Sequence, residues 1–116
     1  MEKKQLALLV AKLFDQAMQS DIKTSVELDI PADDDIYRVV VSNTGNIHNH
    51  HSGHTVPGTI SADVYANGLH LFGGGQGNMP CNINAVMGYT IDMLHSVISP
   101  TTEYAIGEET SLSMLQ

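Results

Sequence analysis

The sequence predicts an α+β domain: a four-stranded, mostly antiparallel sheet of two hairpins, flanked by an N-terminal and a C-terminal amphipathic helix. Two observations predict it. Apolar residues recur at helical spacing towards both ends of the chain. Between them lie apolar runs that alternate with polar residues or are rich in β-branched side chains, separated by turn residues. The order helix, hairpin, hairpin, helix places both helices on one face of the sheet and leaves the other face free for solvent or a partner.

Leu6, Leu9, Val10, Leu13, Phe14 and Ala17 share one face of a helix from about Glu2 to Gln19. Lys4, Lys12, Asp15 and Gln16 fall elsewhere, and Ser20-Asp21 ends the helix. Val26, Leu28 and Ile30 then alternate with Glu27 and Asp29, the period of a half-buried strand. Pro31 to Asp35 is turn chemistry, and Ile36 to Ser42, centred on Val39-Val40-Val41, makes the second strand. Ser61 to Ala66 and Leu69 to Phe72 flank Asn67-Gly68, the preferred pair for a type I′ turn. A two-residue turn sets the register: Ala66 opposite Leu69 and Val64 opposite Leu71 on the buried side, Tyr65 opposite His70 and Asp63 opposite Phe72 on the other. Glu27, Asp29, Asp63, Tyr65 and His70 therefore share the uncovered face. Gly73 to Asn78 reads as a flexible loop, and Asn82 as the N-cap of a second helix. That helix carries Ile83, Val86, Met87, Ile91, Leu94 and Ile98 on one stripe, has Gly88 for close packing on the sheet, and stops at Ser99-Pro100. Leu9, Leu13, Val64, Leu71, Met87 and Leu94 are the expected core. Residues 1–100 form one compact domain, and residues 101–116 an acidic, polar tail that adds an edge strand or stays mobile.

The chain of 116 residues is the size of one domain, 42% hydrophobic and 16% charged, a balance that suits a folded globule. Trp is absent, so Leu, Ile, Val and the six Met must fill most of the core or an adaptable surface. A formal net charge of −8 argues against nucleic-acid binding through a basic face and against an anionic membrane surface. It suits solubility, a basic protein partner, or mimicry of nucleic-acid charge. No stretch is long or apolar enough to span a membrane. The N-terminal apolar residues are interrupted by Lys12, Asp15 and Gln16, unlike the unbroken core of a signal peptide. The single cysteine, Cys81, excludes an internal disulfide and favours a reducing compartment, so a cytoplasmic location is expected.

Four of the six histidines, His48, His50, His51 and His54, lie within seven residues between the two hairpins. Imidazole is a good ligand for zinc or nickel, and in an extended segment His48 and His50 point to the same side. His70 and Cys81 are the expected additional donors of a tetrahedral site. The spacing matches no closed zinc motif, and the same segment also reads as a solvated polar connection or as a loop that charges on acidification. The glycine segment follows a strand and precedes a helix, which raises phosphate binding, but G-x-G-x-x-G fails at Asn78 or at Pro80 according to where it is begun. Cys81 near a helix N-terminus, with histidines nearby, raises a Cys–His nucleophile; its plainer reading is a small buried residue. Asp33-Asp34-Asp35 lacks the glycine and distal glutamate of a calcium loop and reads as a solvated turn. Locally, Gly53 to Ile60 with Asp63 to Gly68 resembles the strand-and-NG-turn repeat of PAAR-type spike-tip proteins, which hold zinc with His and Cys. That resemblance covers a small part of the chain, lacks the repeat's second copy and flanking context, and is not adopted as an assignment.

With no acid–base or nucleophile constellation legible, the expected function is a non-enzymatic acidic accessory or adaptor domain. It would bind a macromolecular partner, a protein, as a homo-oligomer. The alternative is a small metal- or ligand-binding protein, with or without catalysis, organised on the histidine segment 48–54 and the glycine segment 73–78.

Overall fold

A computed structural model describes the backbone of residues 2–106 and the side chains of residues 2–98. The elements run α1 (Lys3–Met18), β1 (Thr24–Ala32), β2 (Asp35–Asn43), β3 (Ile47–His48), β4 (Thr55–Val56), β5 (Ile60–Ala66), β6 (Leu69–Gly77) and α2 (Pro80–Ile106). β1, β2, β5 and β6 form one antiparallel sheet in that order, while β3 and β4 form a separate two-stranded ribbon between β2 and β5.

Alternation decides which face is covered. On β2, Tyr37, Val39 and Val41 are buried, Ile36 and Arg38 are exposed, and Val40 is half-buried. The helices lie on the buried side. Leu6, Val10, Leu13, Phe14 and Ala17 of α1 and Val86, Leu94 and Ile98 of α2 join Ile30, Ile60, Ala62 and Val64 of the sheet in one core. Leu13, Val64 and Leu94 are core residues as expected, whereas Leu9 and Met87 are only partly buried. Between the helices, Lys3 Nζ meets Asp92 Oδ1 at 2.7 Å, an exposed pair of small energetic weight.

Both hairpin turns are tight. Asp33-Asp34 closes the first, with Asp33 at φ 55°, so Pro31, Ala32 and Asp35 belong to the strands. Asn67-Gly68 closes the second with φ 51° and 87°, both positive as a type I′ turn requires. The Asn67 side chain also accepts the Ile36 N–H at 2.9 Å and donates to Asp35 Oδ1 at 2.8 Å, tying this turn to the start of β2.

The structure corrects the second hairpin beyond its first two pairs. Ala66 faces Leu69 and Tyr65 faces His70, but Val64 then faces Phe72 and Asp63 faces Gly73. Leu71 is the extra residue of a β-bulge and is 44% exposed, so it is not core; Phe72 takes its place against the core. Nor is Gly73 to Asn78 a flexible loop, because β6 continues to Gly77 through a second irregularity at Gly74. Glycine is needed there because α2 crosses close by: a Cβ on Gly74 would collide with Thr90 Oγ1 and lie 3.3 Å from the Ala62 Cβ. Gly88, by contrast, has open space around it and does not mediate the packing.

The second helix also begins and ends elsewhere than expected. Pro80 opens it, where a missing N–H costs nothing, and the Ile83 N–H bonds to the Met79 carbonyl at 2.9 Å. Asn82 thus lies inside the first turn and is not the cap. The helix continues past Ser99-Pro100 to Ile106; an internal proline removes one helix hydrogen bond without obliging the chain to leave the helix. The remaining tail, with Leu112, Met114 and Leu115, lies outside the described residues.

Candidate functional site: the uncovered sheet face and the histidine ribbon

Pairing places one side chain from each strand in rows across the uncovered face. One row is Asp29, Arg38, Tyr65 and His70; the next is Glu27, Val40, Asp63 and Gly73. Arg38 donates from Nε to Asp29 Oδ1 at 2.7 Å and from a terminal nitrogen to Asp29 Oδ2 at 3.2 Å, with Glu27 Oε1 3.5 Å from Nε. The two-pronged bond holds the Asp29 carboxyl below the ordinary carboxylate range and raises the guanidinium in turn. On the covered side of the same strand, burial raises the Tyr37 phenol, with Asp35 and Asp33 adding to the effect.

Further along these rows, His70 Nε2 lies 3.0 Å from Asp63 Oδ1, and the His70 ring stands edge-on to Tyr65 at 5.3 Å. Glu27, Asp29, Ile36, Arg38, Val40 and Tyr65 line a shallow depression of about 470 Å³. Its lining mixes apolar and aromatic side chains, Ile36, Val40 and Tyr65, with the Glu27–Arg38–Asp29 charged group. Glu27, Asp29, Asp63, Tyr65 and His70 lie on this face as the alternation predicted. Arg38 was missed. It sits opposite Asp29 only because the first turn is two residues long, and that register was not read from Pro31 to Asp35.

Above the other end of the sheet stands the β3–β4 ribbon, where Ile47 pairs with Val56 and His48 with Thr55. Its tip is closed by hydrogen bonds. The Asn49 carboxamide oxygen accepts the His51 and Ser52 N–H groups at 2.9 and 3.2 Å. The Asn49 N–H donates to the His54 carbonyl and the Gly53 N–H to the Asn49 carbonyl, both at 2.8 Å. The histidine segment is therefore a built hairpin. His48 Nδ1 lies 3.2 Å from Thr55 Oγ1, and the His48 and His50 rings approach to 5.1 Å between centroids.

Of the six expected metal donors, the structure brings His48 and His50 into contact. His51 and His54 are exposed on the same tip, His70 is paired with Asp63 on the sheet, and Cys81 is exposed in the first turn of α2, not buried. Among the described residues, no three or more His, Cys, Asp or Glu side chains are grouped to hold one ion.

Asn43, the last residue of β2, is a buried junction. It is 4% exposed, and its side chain donates to the Ala17 and Ser20 carbonyls at 2.8 and 3.1 Å and accepts the Gly45 N–H at 2.8 Å. It ties the end of α1 to the end of β2 and so fixes where the ribbon leaves the sheet.

Comparison with family models, curated proteins and solved structures finds no match for the chain. Among the described residues, no helix is long and apolar enough to cross a membrane.

Proposed function

We propose that the chain is a small accessory domain of the cytoplasm that binds a protein partner through the uncovered face of its sheet. The observation that carries this reading is the depression in which Ile36, Val40 and Tyr65 lie beside the charged side chains of Glu27, Asp29 and Arg38. Apolar strips with polar rims are the usual anatomy of a protein-binding surface. The partner segment would be basic, since Glu27, Asp29 and Asp63 outnumber Arg38 on this face and the chain as a whole carries −8. Exposed β1 and β6 edges and the exposed Leu69 and Leu71 support self-association as a further part of the proposal.

A photo-crosslinking side chain placed at Ile36 tests the reading, with one at Gln16 on the outer side of α1 as control. Defined adducts in the native host are expected from position 36 and not from position 16, and Val40→Lys should abolish them. Equal labelling from both positions, or adducts indifferent to Val40→Lys, would refute it.

A second reading, a metal-binding protein organised on the histidine ribbon, is supported by the His48–His50 ring pair.

A further inference from the structure

We propose that the tip of the β3–β4 ribbon is half of a zinc-class metal site, which a second copy of the chain completes. The proposal rests on the metal-binding reading and is independent of the sheet face.

The spacing of the two imidazoles is the first ground. A zinc–nitrogen bond is about 2.0–2.1 Å, and a ring nitrogen lies about 1.1 Å from its ring centre. Two imidazoles at a tetrahedral angle on one ion therefore have centroids about 5.2 Å apart. His48 and His50 stand edge-on at 5.1 Å with an interplanar angle of 84°, both exposed, a separation at which one ion can take a nitrogen from each ring. The second ground is orientation. If His48 Nδ1–H donates to Thr55 Oγ1, 3.2 Å away, Nε2 carries the free lone pair. Metal-bound histidines commonly have their second nitrogen tied in this way. The Asn49-centred hydrogen bonds already hold the tip closed, so little chain entropy remains to be lost on binding.

The third ground is incompleteness. Structural zinc takes four protein donors, and among the described residues no third His, Cys, Asp or Glu joins this pair. Among the described residues, the ribbon makes no extensive packing with another helix or strand, which leaves its tip accessible to a second copy. A two-fold arrangement gives two imidazoles from each copy around one ion. Neutral imidazoles leave the ion its double positive charge, which reduces the local repulsion where two acidic chains meet.

The test uses the tag-free full chain, with zinc sulfate or with EDTA, followed by sedimentation and by elemental analysis of the dialysed protein. Zinc should raise the sedimenting mass above that of the EDTA-treated protein, with one ion per two chains. The double variant His48→Ala/His50→Ala, whose folding is checked by circular dichroism, should lose both effects. Thr55→Val should weaken zinc-driven dimerisation about 10-fold, the size of effect seen when a ligand's supporting hydrogen bond is removed. No bound zinc would overturn the metal reading itself. Zinc bound at one ion per chain with the mass unchanged would overturn only the bridging. Zinc-driven dimerisation retained by the double variant would overturn the assignment to His48 and His50.

Discussion

Replacing Asn43 tests whether the junction between α1, β2 and the ribbon holds the fold as its hydrogen bonds indicate. The side chain makes three hydrogen bonds at a site 4% exposed. Each is worth about 1 kcal/mol net, and a group left buried without a partner costs more than the mean. Ala17 keeps a weaker partner, the Ser20 N–H at 3.4 Å, which limits the loss on that side. Asn43→Ala should therefore cost roughly 2–4 kcal/mol in urea unfolding, with the slope unchanged. Asn43→Asp is the sharper experiment, because it keeps the shape and removes both donors. At neutral pH its carboxylate would face the Ala17 and Ser20 carbonyls and should cost more than the alanine. That environment disfavours the charged form, so the folded state raises the carboxyl's pKa. The variant's stability relative to wild type should be highest in acid and fall as pH rises through that raised value. A loss under about 0.5 kcal/mol for Asn43→Ala would place the residue among ordinary surface positions. An aspartate variant equal to the alanine and flat with pH would sink the donor argument.

Three further outcomes follow from the packing and the charged row. Leu13→Ala, at a site 5% exposed, should destabilise by about 2–5 kcal/mol in the same urea assay. Gly74→Ala should cost about 1–3 kcal/mol by driving a methyl into Thr90 Oγ1. Thr90→Ala should recover part of that loss in a double-mutant cycle, and strict additivity of the two changes would contradict the contact. For Asp29, whose folded pKa is depressed by Arg38, the pair's contribution is present above the ordinary carboxylate range and lost as pH falls through the depressed value. The stability difference between wild type and Arg38→Met should therefore shrink towards zero in strong acid and in high salt, and a difference that persists in both would assign Arg38's role to packing.

Local periodicity and turn chemistry were enough to determine the fold class, the presence of both helices, the Asn67-Gly68 turn and the face on which Glu27, Asp29, Asp63, Tyr65 and His70 lie. A helical stripe and an alternating strand are each written in residues close together, and the core they imply follows from burying apolar area. What only tertiary structure decided depends on groups distant in sequence. The glycine run is strand and not loop because α2, through Thr90, comes so close that a side chain on Gly74 would collide. Leu71 is exposed because a bulge, an irregularity of pairing invisible to a period of two, turns it out of the core. Asn43 is a junction because Ala17 and Ser20, far back along the chain, bring their carbonyls to it. The histidines were legible as a cluster, but composition could not tell a chelating loop from a closed hairpin. Asn49 and Thr55 made that distinction, presenting His48 and His50 together and leaving the remaining donors apart.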